Sequence, residues 1–186
     1  MRRSVQAQLR KEAKAQIQKI RLALGAERSL YLDSHQHVHM IPFIFDELLR
    51  LGVEHSVSRI RFSREPFFFC KQKGAISTYF GPPILKHSLL RFLSFLNHDA
   101  LRRSQIPYCD YTIGVLFSGR MTPAVVQSAF ETISRRGAGK KAVEVVFHPG
   151  KATPDELVSW TSKRQALKFY CAPMREQEAV CLKQLR

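Results

Sequence analysis

Acidic residues are scarce in this chain. Its 186 residues hold 15 Asp+Glu against 30 Lys+Arg, a net charge of +15. Two of the usual cysteine arrangements are also missing. Cys70, Cys109, Cys171 and Cys181 form no C-x-x-C pair, which excludes a zinc ribbon, a thioredoxin-like motif and a dense disulfide framework. Cys171 and Cys181 lie near enough in sequence to bridge, but four scattered thiols in a reducing cytosol are the simpler expectation. No apolar run is long enough to span a membrane. The most apolar stretch, Pro82 to Leu96, is interrupted by Lys86, His87 and Arg91, well short of roughly 18 uninterrupted apolar residues. The start, Met1-Arg2-Arg3-Ser4, leads into Gln, Lys and Glu rather than an apolar signal segment, so it reads as a plain helix and a cytoplasmic chain, with a basic amphipathic mitochondrial presequence as the weaker alternative. There is neither an internal repeat nor a low-complexity linker.

What is present is a globular composition, 45% hydrophobic and 24% charged, which excludes wholesale disorder. Val5, Leu9, Ala13, Ile17, Ile20 and Leu24 recur at helical spacing and predict an amphipathic helix over 5–24, closed by Gly25. Ser29 to Leu32 reads as a short strand. Pro42 to Leu51 predicts a helix with Gly52 past its end. Ser56 to Phe62 predicts a strand, Arg64 to Gly81 a long irregular loop, and Ile84 to Leu96 a helix. Tyr111 to Leu116 predicts a strand, followed by a helix capped by Thr122, opened by Pro123 and broken at Gly137-Ala138-Gly139. Ala142 to Phe147 is a β-branched run of the kind buried on both faces, and a last helix covers Arg175 to Lys183. Alternating strands and helices predict an α/β fold of parallel β-α units. In such folds ligands sit at the carboxyl ends of the strands.

Both histidine-bearing segments fall at such ends. In an extended Asp33-Ser34-His35-Gln36-His37-Val38-His39 segment, the three histidines project to one side. Together with Asp33 they suit a divalent metal or a proton-transfer site; the alternative is that His37 and His39 are tied to backbone carbonyls. His148, fixed by Pro149-Gly150 at the end of a strand, is placed for acid–base work or for capping the turn. Arg61, Arg64 and Glu65 offer either an anion clamp or an internal ion pair. Gly119, after Ser118, allows the backbone to approach a ligand closely. His55, His87 and His98 have no partner nearby in sequence and read as surface or core residues.

These pieces carry a resemblance. The segment Asp33-Ser34-His35-Gln36-His37-Val38-His39-Met40-x-Pro42 resembles the signature of the YdjC/ChbG-like carbohydrate deacetylases. So do the Arg61-x-x-Arg64-Glu65 neighbourhood, Phe117-Ser118-Gly119-Arg120-Met121-Thr122, Glu144 through Gly150, and Arg175-x-x-Glu178-x-x-x-Leu182. The resemblance covers nearly the whole chain.

It implies an irregular TIM-type (β/α) barrel that hydrolyses the acetamide of N-acetylated sugars, such as chitooligosaccharides, with a divalent Mg or Zn ion. His35 matches a metal ligand, and His148 matches the histidine near the leaving group. Asp33, His37, His39, Arg61, Glu65 and Gly119 would support the metal or bind the sugar. In the implied chemistry the ion polarises the carbonyl and acidifies a water, a carboxylate takes that water's proton, and a histidine protonates the departing amine.

The chain departs from the family in two places. It has no Asp-Asp pair and no Gly-x-His, the family's other sources of base and ligand. The expectation is therefore one deacetylase domain over 1–186, N-terminally incomplete: a partial barrel lacking its first strands, with strand edges and apolar surface uncovered. Such a barrel ordinarily needs about 250 residues. An N-acetylated sugar is the expected partner, and a homodimer or a missing N-terminal segment would complete the site. The alternatives are an inactive remnant or sugar-binding module and, behind these, a nucleic-acid or anion binder. The basic groups Arg2-Arg3, Lys11 to Arg21 and Lys140-Lys141 are not interleaved with aromatics as stacking platforms are, so no nucleic-acid partner is expected.

Overall fold

In the computed structural model the long basic helix α1 runs Arg2–Leu24. The described residues are 2–25, 27–72, 74–137, 139–153, 155–156 and 164–184. They divide into two compact units, Met1–Arg64 with Ser88–Tyr111, and Glu65–His87 with Thr112–Arg186.

In the first unit α1 ends as predicted. Gly25 takes a left-handed φ of 85° and its N–H returns to the Arg21 carbonyl at 2.9 Å, a turn that glycine makes without steric cost. Of the apolar stripe only Ile17 is buried, while Val5, Ile20 and Leu24 remain exposed. Polar groups supply the rest of the attachment to helix α2, Pro42–Glu54. Arg10 donates to Glu47 at 2.6 Å and to Glu54 at 2.8 Å, and Lys14 donates to Glu54 at 2.6 Å. Pro42 opens α2 as expected, but Gly52 lies inside it rather than past its end. The reason is packing: a Cβ there would stand 2.6 Å from Ile106 Cδ1.

The strands are shorter than predicted. β1 is Tyr31–Leu32 and β2 is Arg59–Ile60; they pair in parallel with Tyr31 opposite Arg59. The helix expected over 84–96 extends at both ends into α3, Pro82–Ser104, whose residues from Ser88 onward belong to this unit. Its core gathers Met40, Phe45, Leu51, Ile60, Phe62 and Leu101, all fully buried. Phe45 and Phe62 stand 5.9 Å apart between ring centres.

The second unit contains most of β3, Tyr111–Ile113, which pairs with β4, Val143–Val145. The β4 run is half-buried rather than covered on both faces as predicted. The chain leaves β3 through Gly114, whose φ is 114° and whose Cβ, if present, would meet the Val146 carbonyl at 2.3 Å. Helix α4, Pro123–Ser134, is capped as expected: Thr122 Oγ1 accepts the Val125 N–H at 3.4 Å. Within the predicted break after it, Ala138 lies outside the described residues. The loop after Arg64 is irregular but stitched. A 3-10 turn covers Ala75–Tyr79, and the Tyr79 hydroxyl accepts from Cys70 N at 2.8 Å and donates to Phe68 O at 3.2 Å. Two C-terminal helices follow, α5 over Arg164–Tyr170 and α6 over Met174–Gln184. The last was expected; α5 was not. None of the four cysteines is in a disulfide. The class is α/β, mostly helical with few short strands.

Candidate functional site

The histidine cluster belongs to the first unit and is not extended. His35–Met40 forms a 3-10 segment in which Gln36 and His37 adopt left-handed φ values of 54° and 61°. Such a turn destroys the alternation on which a common histidine face depended. His35 is exposed, while His37 and His39 turn inward.

His39 is held on both sides of its ring. Nε2 faces the Arg61 carbonyl at 3.0 Å and Nδ1 faces Ser34 Oγ at 2.7 Å, while Ser34 Oγ also accepts the His39 N–H at 2.8 Å. A carbonyl only accepts, so Nε2 carries the hydrogen and the serine hydroxyl donates to Nδ1 in the neutral ring. With both nitrogens engaged, His39 shapes the turn rather than serving as a metal donor. His37 Nδ1 lies 2.6 Å from the buried Ser63 hydroxyl. Asp33 accepts from the Arg61 guanidinium and lies 3.7 Å from His39 Nδ1. Arg61 therefore faces a carboxylate of its own unit.

Among the described residues no three His, Cys, Asp or Glu side chains gather into a group able to hold a metal ion. The donors that sequence reasoning assembled around His35 thus do not by themselves fit a resident divalent ion, which takes about three protein ligands.

In the second unit Glu65, His148 and Gly119 each have a definite setting. The Glu65 carboxylate is buried against the chain leaving β3. It accepts the N–H groups of Gly114 at 2.6 Å, Val115 at 3.1 Å and Leu116 at 2.7 Å. Burial pushes its pKa up to about 7, against the pull of those three donors and of Lys86. Lys86's own burial pulls its ammonium below the ordinary value, against the opposing pull of Glu65. His87 Nε2 lies 3.7 Å from the Glu65 carboxylate, so the histidine read as a surface or core residue is a core one beside a buried acid.

His148 follows β4 as predicted. Its Nδ1 stands 3.5 Å from Ser118 Oγ, and its ring and that of Phe169 meet edge to face at 5.9 Å between centres. Phe169 also explains Gly119. At φ 77° a Cβ there would sit 3.1 Å from Phe169 Cε2, so the glycine admits an aromatic ring beside the histidine.

Sequence reasoning missed two residues of this setting. Glu178, fully buried, accepts the N–H groups of His148 and, at 2.8 Å, of Met121. Burial raises its pKa, opposed by these donors, by Arg175 and by the Gly119 N–H. Arg175 donates to the His148 carbonyl at 2.8 Å. Both stand in the Arg175-x-x-Glu178 stretch already singled out; the available signal was the three-residue spacing, which puts an acid and a base on one helix face.

Beside this setting is a cavity of about 230 Å³ bounded by Gln72, Ala75, Thr78, Phe117, Arg120 and Met174. It is largely apolar, with one guanidinium at its wall.

The family model described as YdjC-like protein matches residues 1–185. No curated protein and no solved structure matches the chain.

Proposed function

The chain belongs to the YdjC-like family, and from that premise we propose that it is a carbohydrate deacetylase, an amide hydrolase acting on N-acetylated sugars of the chitooligosaccharide type. One observation in particular supports this reading. His148 sits at the C-terminal end of β4 with its ring beside Ser118 and its backbone held by Glu178 and Arg175. A histidine so placed can hold or deliver a proton near neutral pH, and its role in the reading is to protonate the departing amine. Gly119 makes room beside it for the Phe169 ring. The barrel architecture common to the family is part of the same proposal, as is a cytoplasmic location.

The reading carries a divalent ion, Mg or Zn, with His35 as the one matched donor of this chain. Asp33, His37, His39 and Arg61 then hold the turn that presents His35, while Glu65 holds the turn after β3.

Acetate release from N-acetylated chitooligosaccharides, with Mg or Zn supplied, tests the proposal. Activity is expected to fall at least about a hundredfold in His148→Asn and to be lost in His35→Ala. Acetate release unaffected by His148→Asn would overturn the assignment.

A second reading, a non-catalytic member that binds sugar, is favoured by the donor set, which is incomplete among the described residues. Saturable binding of the same oligosaccharides without acetate release under any metal would establish it instead.

A further inference from the structure

We propose that Arg175 and Glu178, one turn apart on α6, are positioning residues for His148: between them they hold both polar backbone groups of that residue and so aim its ring at Ser118. The functional meaning rests on the reading of His148 as the proton-moving group; the geometry stands by itself.

Glu178 takes the His148 N–H on Oε2 and the Met121 N–H on Oε1, and the Gly119 N–H also points at this carboxylate. One buried acid thus ties the loop after β3, which carries Ser118 and Gly119, to the loop after β4, which carries His148. Arg175 completes the hold from the other side. Its Nε donates to the His148 carbonyl at 2.8 Å, its Nη2 reaches the Pro149 carbonyl at 3.5 Å, and its Nη1 reaches the Tyr170 carbonyl at 3.0 Å. The guanidinium is itself fixed, 5.0 Å from the Phe169 ring centre and 5.1 Å from that of Tyr170. Gly150 lets the chain pass beneath it, because a Cβ there would stand 2.7 Å from Arg175 Nη2.

Stability alone does not account for such a pair. Buried charges gain little over well-packed apolar groups of the same volume, since each must first leave water. What the pair supplies is direction: a carboxylate accepts and a guanidinium donates along fixed lines. With its N–H and C=O both held and its ring flanked by Phe169, His148 keeps Nδ1 toward the Ser118 hydroxyl.

The test uses the full chain carrying 13C at histidine Cε1, the His148 signal being assigned by its loss in His148→Asn. Two quantities are read, the ring's titration midpoint and the hydrogen-exchange rate of the His148 amide. In Glu178→Gln the midpoint is expected to fall by about half a pH unit or more, and amide exchange to quicken about tenfold or more. Arg175→Gln, which carries the test if Glu178→Gln does not fold, is expected to raise the midpoint and quicken the same amide. Glu176→Gln, an exposed carboxylate on the same helix, controls for charge alone and is expected to change neither quantity.

A folded Glu178→Gln or Arg175→Gln protein with the midpoint and amide exchange of Glu176→Gln overturns the proposal. Neither readout needs acetate release, so failure of the deacetylase reading leaves a positive result standing. Active enzyme with unmoved readouts sinks the positioning role alone.

Discussion

Glu65 is a carboxylate removed from water and given three backbone donors in exchange, and at residue scale its titration has a readable consequence. Its folded pKa of about 7 lies above the ordinary glutamate value of 4.5. The native chain therefore binds this proton more tightly than the unfolded chain does. The stabilisation is fully present below pH 4.5 and is lost as pH rises through 7. Glutamine resembles the protonated acid and does not titrate. Relative to Glu65→Gln, the wild type is expected to lose on the order of 2–3 kcal/mol between pH 5 and pH 8, measured by urea unfolding at each pH. A difference independent of pH would show that the acid does not titrate in this range. His39 supports a second expectation. His39→Ala leaves the Arg61 carbonyl and the Ser34 hydroxyl without their ring partners and opens a cavity, at a cost of about 2–4 kcal/mol. Denaturant unfolding measures that loss, and His39→Ala retaining wild-type stability contradicts the assignment. At this scale the sequence revealed which residues matter more readily than what each one does. His148 was legible because Pro149-Gly150 fixes a strand end. The alternative of a histidine tied to a backbone carbonyl holds for His39, at Arg61, but the turn that brings it and His37 inward depends on left-handed conformations at Gln36 and His37 that no residue type announces.

The elements were most legible at their ends. Thr122 with Pro123, Pro42, and Gly25 are local signals whose hydrogen bonds close within a few residues. Thr122→Ala is expected to cost about 1 kcal/mol, since Val125 N loses its cap and the Thr122 hydroxyl's 2.5 Å bond to Gln72 is also lost. Thermal or urea unfolding reads it, and an unchanged midpoint would mean that water replaces the cap. Gly52 misled because a glycine near a helix end has two meanings, termination or close packing, and the contact with Ile106 that decides between them is remote in sequence. A double-mutant cycle separates the two. Gly52→Ala alone must displace Ile106 Cδ1, whereas Ile106→Val removes that atom. In the valine background the same change is expected to stabilise by about 0.5–1 kcal/mol, the helix-propensity gain of alanine over glycine. Equal effects in both backgrounds would mean that packing does not select this glycine. The strands shrank because two-residue ladders are set by their partners, and a run such as Ala142 to Phe147 advertises apolarity without saying how far its partner extends.

The charge of +15 takes on a different meaning at the scale of the whole molecule. Six of the thirty basic side chains are engaged inside the units. Arg10 and Lys14 face Glu47 and Glu54, Arg21 donates to the Arg28, His55 and Ser56 carbonyls, and Arg61 faces Asp33. Arg64 lies over the Tyr111 ring at 5.6 Å, and Arg175 holds the His148 loop. A cation whose donors are committed to carbonyls or carboxylates must release them before it can meet a phosphate. For these six the count of basic residues overstates the charge available to a polyanion, and only the folded chain reveals the difference. Among the described residues α3 exposes Phe92 and Phe95 beside Arg91, a candidate stacking face that decides the last prediction. Binding to duplex or single-stranded DNA, followed by fluorescence anisotropy, is expected to be weak at about 0.15 M salt, with a log–log salt slope no steeper than about −3. The double change Phe92→Ala/Phe95→Ala is expected to leave single-strand affinity unaltered. Submicromolar binding at that salt, with a slope of about −6 or steeper and a tenfold loss in the double variant, would instead establish a nucleic-acid surface with stacked bases.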